Sequence, residues 1–422
     1  MKRVIIGLDG VPYRLIEDLS ASGVMPHLGA LRASGIFKQM ASSIPEVSSV
    51  AWSSIITGKN PGEHGIFGFT GLRPGSYDLF FPNFHDLGAR PFWERAGSGR
   101  SVIINVPSTY PARRLNGALI SGFVALDLRR ATYPPSLVPQ LERIDYRLDV
   151  DSAKARQSMG LFLDDLEKTL NSRIAAYRSL WEGEAWETFM LVFTGTDRLA
   201  HFLWKAYEDE AHEYHSAFLD HFRRVDEIIG EITSRLEEED LLILLSDHGF
   251  ESLEEEVYVN YLLRREGFLQ LEGGSPDLSG IAQGTRAFAL DPGRIYLNLR
   301  GRYPRGEVGA SDRDPVIADL TNLFTSLELD GRRVINRVYR REELYSGPFS
   351  ERAPDLVLLA ARGFNLKGDP QAEQLFGKSI FTGKHSQPDA FLLVRANSKA
   401  LPVPARPGLT DVIGLIDRFR EL

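Results

Sequence analysis

The chain has 422 residues, enough for two domains or for one large domain with an insertion. Its composition, 43% hydrophobic and 25% charged residues, is ordinary for a soluble globular protein. A net charge of -8 argues against broad electrostatic binding to nucleic acid or to an anionic membrane. The lack of cysteine excludes disulfides, thiolate–zinc sites and cysteine nucleophiles, so any metal site must use His, Asp, Glu or hydroxyl groups.

The N-terminal residues 1–7 lead directly into a strand-like run without a long apolar segment. No stretch of the sequence approaches about 18 consecutive apolar residues. We therefore expect no secretory signal, no membrane span and a cytoplasmic location.

A short apolar run from Val4 to Leu8 predicts the first strand, and Asp9 and Gly10 follow it. In open α/β sheets, ligands gather beyond the carboxyl ends of the strands, which makes Asp9 a candidate metal ligand. An Asx turn, which Asp-Gly pairs favour, explains this residue equally well when it is taken alone.

A short helix is predicted from Val50 to Thr57, with Ser48 or Ser49 as its N-cap and Gly58 as its stop. A hydroxyl at a helix N-terminus faces unpaired N–H groups and the positive end of the helix dipole. These two features favour a bound phosphate. Plain capping is the alternative for either serine.

The run from Glu187 to Phe193 predicts a strand, and a helix is expected after Thr196. In that helix Asp197 and His201 stand one turn apart and face the same side, a spacing that lets two side chains bind one ion. An exposed helical Asp–His pair is the alternative.

Five apolar residues, Leu241 to Leu245, follow the charged segment 237–240 and lead into Asp247 and His248. The run is too short for a membrane span and lacks the alternation of a half-exposed strand. It is typical of a central strand in a parallel sheet that helices cover on both faces. Asp247 and His248 would then lie at the carboxyl end of this strand, although a capped turn is the alternative.

The remaining elements complete an α/β pattern. Further strands are predicted at 101–105, 117–122, 294–298, 355–360 and 390–394, and helices at 152–181, 209–236, 258–271, 315–327 and 408–422. A loop at 381–387 carries His385, another candidate ligand.

Residues 273–347 change character, because they mix Gly, Pro, Asp and Arg with short strand candidates and one helix. We predict an inserted cap subdomain there and a core formed by residues 1–272 and 348–422. The region holds four arginines that either contact an anionic substrate or are simply solvated: Arg286, Arg294, Arg300 and Arg302.

Separate loops next to strand-like runs thus offer six nitrogen or oxygen ligands and one hydroxyl. These residues are Asp9, Ser48, Asp197, His201, Asp247, His248 and His385. Two divalent ions need a set of this kind. Histidine and carboxylate ligands without sulfur accept Zn²⁺ or Mn²⁺, so we expect two divalent ions, with zinc as the first choice and manganese as the alternative.

The sequence resembles the alkaline phosphatase superfamily, most closely its type I phosphodiesterase/nucleotide pyrophosphatase and phosphomutase-like branches. The matching segments lie in the family's order at 8–10, 45–65, 197–201, 246–249 and 383–385. The resemblance implies a three-layer α/β sandwich with a mostly parallel central sheet and a smaller inserted cap subdomain.

The resemblance also implies roles for the candidate residues. One metal ion would be held by Asp197, His201 and His385, and the other by Asp9, Asp247 and His248. The nucleophilic hydroxyl of the family stands nine residues before a Thr-Gly pair, which identifies Ser48 by counting back from Thr57.

Two departures from the family pattern bear on the substrate. Nucleotide pyrophosphatases of the superfamily carry a threonine nucleophile and an asparagine three residues later, where this chain has Ser48 and Ala51. Sulfatases need a C/S-x-P-x-R signature, and the segment from Ser48 to Trp52 lacks the proline and the arginine. These differences weaken a nucleotide phosphodiesterase assignment and argue against a sulfatase.

The leading hypothesis is a cytoplasmic two-metal hydrolase, a phosphatase or phosphodiesterase, that cleaves phosphate monoesters or diesters through a phosphoserine on Ser48. A metal-dependent phosphomutase and a catalytically silent metal-binding protein are the alternatives. The expected partner is a small anionic phosphorylated substrate, with no nucleic acid polymer and no membrane, while the oligomeric state is left open.

Overall fold

The computed structural model describes residues 1–273, 277–396 and 401–421. The chain divides into two compact units, which are described separately. The first unit comprises Met1–Lys59, Asn83–Glu251 and Ile380–Leu422, and the second comprises Asn60–Pro82 and Ser252–Ser379. Strands and helices are numbered in chain order through both units.

The first unit alternates strands and helices. Its strands are β1 (Arg3–Leu8), β2 (Ile36–Met40), β5 (Ser101–Val106), β6 (Gly117–Ser121), β7 (Thr132–Tyr133), β8 (Thr188–Phe193), β9 (Leu241–Leu245), β10 (Gly249–Ser252), β20 (Gly383–Ser386) and β21 (Ala390–Arg395). Its helices are α1 (Tyr13–Ala21), α2 (Pro26–Ser34), α3 (Ser48–Thr57), α5 (Val138–Arg143), α6 (Lys154–Gln157), α7 (Met159–Gly183), α8 (Gly195–Glu208), α9 (His215–Ser234) and α13 (Asp411–Glu421).

Eight of these strands form one sheet in the order β2-β21-β9-β1-β8-β5-β6-β7. The five strands from β9 to β6 run parallel, whereas β21 and β7 join their neighbours antiparallel. In the register of the sheet, Leu8 pairs with Phe193, and Gly7 pairs with Leu245. The carboxyl ends of β1, β8 and β9 therefore lie side by side at the same edge.

Helices cover both faces of this sheet. Val4, Ile6 and Leu8 of β1 point into a core shared with helices α1, α2, α7, α8 and α9. On the opposite face Trp52 of α3 packs so closely on Gly7 that a Cβ atom there would lie 2.4 Å from the indole ring, and α13 packs against α3. The predicted α/β fold with a mostly parallel central sheet between helical layers is confirmed.

The second unit is richer in short antiparallel strands. Its strands are β3 (Gly71–Leu72), β4 (Leu79–Phe80), β11 (Glu255–Tyr258), β12 (Ala287–Leu290), β13 (Arg294–Leu297), β14 (Glu328–Leu329), β15 (Arg332–Arg333), β16 (Ile335–Arg340), β17 (Leu356–Ala360), β18 (Phe364–Lys367) and β19 (Phe376–Gly377). Its helices are α4 (Pro61–His64), α10 (Val259–Arg265), α11 (Arg313–Thr325) and α12 (Arg341–Leu344).

The largest sheet of the second unit has the order β12-β13-β17-β16 and is antiparallel throughout. The predicted subdomain, residues 273–347, falls within this unit, which also includes 252–272 and 348–379. The sequence predicts that these flanking residues belong to the core, and for 348–379 the reason is the apolar run at 355–360, which is equally typical of a central parallel strand. Its hydrogen-bond partners β13 and β16 assign it to the second unit, and the role of this unit as a cap stays a prediction.

Several local predictions differ from the structure, and the predicted helix 209–236 begins only at His215. The predicted helix 258–271 ends at Arg265, because Gly267 adopts a φ of 73° and turns the chain away. His385 lies in a strand rather than a loop, since β20 pairs with β10 in a two-stranded sheet. The predicted helix 152–181 is divided at Ser158, which has extended backbone angles.

Within the parts of the chain that the structure describes, no helix combines the length and the apolar character needed to cross a bilayer.

Candidate metal centre

Three buried ligands meet where β1 and β9 end. Asp9 follows β1 directly, and Asp247 and His248 follow β9 after one further residue. The Nε2 atom of His248 lies 3.2 Å from Asp247 Oδ2 and 3.8 Å from Asp9 Oδ1. The parallel register of the two strands therefore brings together residues that are more than 230 positions apart in the sequence.

The Ser48 hydroxyl lies against this first cluster. Its Oγ is 3.1 Å from His248 Nε2 and donates a hydrogen bond to Asp9 Oδ1 at 3.3 Å. Ser48 is the first residue of α3, and the N-cap position belongs to Val47, so the prediction that Ser48 or Ser49 caps the helix is wrong. The predicted stop is confirmed, since Gly58 ends the helix with a φ of 65°.

A second cluster combines Asp197, His201 and His385. The first two residues lie one turn apart on α8, which begins just after β8, and the third comes from β20. His385 Nε2 is 3.1 Å from Asp197 Oδ1 and 3.0 Å from His201 Nε2, and His201 Nε2 is 3.6 Å from the same carboxylate oxygen.

Each of the three imidazoles is held by a backbone carbonyl at its Nδ1 atom. His385 Nδ1 is 2.9 Å from the Glu46 carbonyl, His248 Nδ1 is 3.1 Å from the Gly249 carbonyl, and His201 Nδ1 is 3.3 Å from the Gly383 carbonyl. A carbonyl can only accept, so Nδ1 carries the proton and the Nε2 lone pair faces the cluster. This is the tautomer that a metal-binding histidine needs.

In the first cluster, burial shifts the pKa of the carboxyl groups and the pKa of the imidazole in opposite directions. Burial, together with the charges of Asp247 and Asp197, raises the pKa of Asp9 well above its usual value. Burial also raises the pKa of Asp247 to about 7 and lowers that of His248 to about 4. The first cluster thus consists of two carboxyl groups that resist ionisation and a neutral imidazole. A bound cation would offset the cost of ionising the two carboxyl groups.

Asp197 of the second cluster behaves differently. Burial alone would raise its pKa, but the neighbouring His201, His385 and Arg198 lower the pKa of this carboxyl below its ordinary range. Arg198 binds the outer oxygen, Oδ2, at 2.7 Å, which leaves Oδ1 facing the two histidines. The Asp197 carboxylate is therefore ionised, and its Oδ1 is oriented to bind a cation.

The donor atoms fit divalent ions. Two Nε2 lone pairs only 3.0 Å apart repel each other unless a cation or a proton lies between them. Ligand atoms on a tetrahedral zinc ion at about 2.0–2.1 Å would stand about 3.3 Å apart, close to the spacings within both clusters. In addition, the buried Oδ2 of Asp247 accepts no hydrogen bond from any residue that the structure describes.

Sequence reasoning missed several groups that contact or surround the candidate ligands. Trp52 donates its indole N–H to Asp9 Oδ2 at 3.1 Å, and the Gly10 N–H donates to Asp247 Oδ1 at 3.0 Å. Lys384, which is 5% exposed, pairs with Glu251 at 3.0 Å beside the second cluster. Of these groups, only Trp52 could have been predicted from the sequence, because it stands four residues after Ser48 and hence on the same side of a helix.

The fold resembles those of two solved proteins. Phosphonoacetate hydrolase from Sinorhizobium meliloti 1021, in complex with phosphonoformate, superimposes with a TM-score of 0.66 and 14% identity over 100% of this chain and 95% of the other. Murine ectonucleotide pyrophosphatase/phosphodiesterase 5 superimposes with a TM-score of 0.58 and 14% identity over the same shares. At 14% identity, these likenesses concern the fold.

The family model of type I phosphodiesterase/nucleotide pyrophosphatase matches residues 3–387. The chain therefore belongs to that family and is a metal-dependent phosphoester hydrolase. No protein with a curated description matches the chain.

Proposed function

We propose that this protein hydrolyses phosphate monoesters or diesters through a phosphoserine intermediate on Ser48. The observation that carries the proposal is the position of the Ser48 hydroxyl, which lies 3.1 Å from His248 and 3.3 Å from Asp9 of the first cluster. A hydroxyl so close to a candidate metal site is suited to act as a nucleophile.

Two divalent ions, zinc first and manganese as the alternative, would be held by the two clusters. Asp9, Asp247 and His248 would bind one ion, and Asp197, His201 and His385 the other. When bound, such ions stabilise a serine alkoxide at neutral pH and offset negative charge on phosphoryl and leaving oxygens. This local positive charge lets an acidic chain act on an anionic substrate.

The residues of the chain supply position and proton transfer. Ser48 Oγ forms a bond to phosphorus while the bond from phosphorus to the leaving oxygen breaks. Asp9 Oδ1 accepts the hydrogen bond of the Ser48 hydroxyl and so orients it, and the hydroxyl proton passes to the departing oxygen. Water then cleaves the bond between Ser48 Oγ and phosphorus, which restores the hydroxyl and releases the phosphoryl product.

The start of α3 adds to the stabilisation of charge. This helix begins at Ser48 itself, so the first N–H groups of the helix and the positive end of its dipole lie next to the reacting oxygen. Backbone donors held rigidly in this way stabilise negative charge that develops on a transferred phosphoryl group.

The substrate is proposed to be a small phosphorylated compound. The phosphonoacetate hydrolase binds phosphonoformate, and an inactive variant of murine ectonucleotide pyrophosphatase/phosphodiesterase 5 binds AMP. These two ligands share a phosphorus oxyanion, which supports this class of substrate here and leaves the organic part open.

The test is a hydrolysis screen of aryl phosphate monoesters and diesters with the metal-loaded protein in water labelled with oxygen-18. A hydrolase releases a product that contains one labelled oxygen, because water cleaves the phosphoserine. A mutase returns the phosphoryl group to an organic acceptor and leaves free phosphate unlabelled. No turnover of any ester by protein that contains both ions would contradict the proposal.

A further inference from the structure

A cavity of about 320 Å³ lies wholly within the second unit. Aromatic and arginine side chains dominate its wall, together with the backbone of the β3–β4 hairpin. The volume falls in the range of pockets that hold small molecules, about 300–1,000 Å³. Four arginines contribute to the wall, and only one acidic residue does: Arg73, Arg294, Arg302, Arg352 and Glu351.

Arg294 carries a buried charge that no carboxylate neutralises among the residues that the structure describes. Its side chain is 0% exposed, and its nitrogens donate to the Asp291 carbonyl at 2.7 Å, the Thr70 carbonyl at 2.7 Å and the Thr70 hydroxyl at 3.0 Å. All three acceptors are neutral. A buried cation without a counter-ion is costly, so its field favours an anion in the adjoining cavity.

Arg302 contacts two aromatic rings and has no carboxylate closer than 4.0 Å among the described residues. Its guanidinium lies 5.3 Å from the ring centre of Tyr303 and 5.9 Å from that of Tyr296. The nearest carboxylate, Asp355, is 4.0 Å away and binds Arg341 more closely, at 2.6 Å. Arg302 Nη2 also donates to the Arg352 carbonyl at 3.4 Å, so the internal polar contacts of the Arg302 guanidinium are long ones.

The other charged groups of the wall strengthen the positive field. Arg73 and Arg352 are exposed, and no described residue forms an ion pair with either of them. The single acid, Glu351, has a side chain that is 96% exposed and lies 3.8 Å from Arg341, which does not line the cavity. The cavity is thus strongly positive in a chain whose net charge is -8.

We propose that this cavity is a second anion site, distinct from the metal clusters, that binds a small phosphate-bearing molecule. Several arginines in one wall suit a doubly charged tetrahedral oxyanion, because the guanidinium of an exposed arginine can donate two hydrogen bonds to phosphate oxygens. The inference does not depend on the proposed hydrolysis at Ser48, since none of the wall residues belongs to either cluster.

The test is calorimetric titration of the full chain with inorganic phosphate at constant ionic strength, with the metals bound and again after treatment with EDTA. Binding at the metal clusters requires the ions, whereas binding in the cavity persists without them. In the EDTA-treated protein, Arg302→Met and the double change Arg73→Gln with Arg352→Gln are each expected to weaken phosphate binding by about tenfold.

Arg300→Gln is the matched control, because Arg300 is exposed, is close to Arg302 in sequence and does not line the cavity. This variant should bind phosphate like the wild type, and circular dichroism checks that every variant is folded. Loss of all phosphate binding on removal of the metals would overturn the inference, as would variants of the wall that bind as tightly as the control. Neither result would alter the outcome of the hydrolysis screen.

Discussion

Ser48 and its neighbour Ser49 form a natural pair for testing the nucleophile. Both are buried at the start of α3, but only the Ser48 hydroxyl contacts the first cluster, and no described residue pairs with the Ser49 hydroxyl. One position in the sequence therefore separates the candidate nucleophile from a buried serine of the same helix that does not contact the cluster.

Ser48→Ala is expected to lower kcat for an aryl phosphate by about a thousandfold or more, because it removes the atom that would attack phosphorus. Metal content should stay near that of the wild type, since the six other ligands remain. Ser49→Ala is the control and should keep its activity. Substantial turnover by Ser48→Ala would rule out the phosphoserine.

Asp247→Asn tests the first cluster by metal analysis. An amide is a weaker ligand than a carboxylate, so the variant is expected to retain about one ion per chain instead of about two. Asp240→Asn makes the same change at the other end of β9, where the carboxylate accepts hydrogen bonds from the N–H groups of Lys2 and Glu237. Equal metal content in both variants would contradict the assignment.

At the scale of elements, the close packing of β1 on α3 sets the position of the site. Gly7 lets Trp52 lie directly on the strand, and the same indole then reaches Asp9 two residues further along. The strand, the helix and the candidate metal ligand Asp9 are thus linked through one aromatic side chain.

Gly7→Ala is expected to destabilise the fold by about 1–3 kcal/mol and to weaken metal binding, because the new methyl group would displace Trp52. Urea denaturation and metal titration measure the two effects. Gly183→Ala adds a methyl group at the end of α7, where nothing lies within 4 Å, and should change neither quantity appreciably. A Gly7→Ala variant as stable as this control would disprove the packing argument.

The start of α7 contains an acid whose contribution depends on pH. Asp165 accepts hydrogen bonds from Arg147 at 2.6 Å, from the Asp151 N–H at 2.8 Å and from Lys154. Burial alone would raise its pKa, but these hydrogen bonds and charges lower the pKa of the carboxyl below its usual value. Its stabilisation is therefore complete above the unfolded pKa of about 3.9 and is lost as the pH falls through the lower folded pKa.

Asp165→Asn is expected to lower the free energy of unfolding by about 1–3 kcal/mol at pH 7, with a smaller difference near pH 3. Asp164→Asn is the control, because Asp164 is exposed and pairs only with Lys168 in the next turn. That change should cost about 0.5 kcal/mol or less. A penalty for Asp165→Asn that does not shrink at low pH would contradict the assigned cause.

For the whole molecule, the proposed metal centre predicts a stability that depends on metal. The folded chain buries carboxyl groups side by side, and ions that bind this arrangement better than the unfolded chain would stabilise the fold. Treatment with EDTA is expected to lower Tm by several degrees, and added Zn²⁺ or Mn²⁺ should restore it. An unchanged Tm after verified removal of metal would argue against the proposed metal centre.

Several features of the site could be read directly from the sequence. The apolar runs at 4–8 and 241–245 predict buried strands, and parallel strands carry ligands at their carboxyl ends. The spacing of Asp197 and His201 needs only a helix to place them on one side. These predictions depend on local periodicity, which neighbouring residues determine.

Other features depend on contacts between distant segments, which periodicity does not encode. The apolar run at 355–360 has the pattern of a core strand, yet its partners β13 and β16 place it in the second unit. Likewise, the imidazoles of His201 and His385 are oriented by carbonyls of residues far away in the sequence, Gly383 and Glu46, which accept from Nδ1. The candidate ligands were therefore accessible from the sequence alone, whereas their geometry, their pKa shifts and the uncompensated charge of Arg294 were decided by tertiary packing, which sets burial and long-range partners.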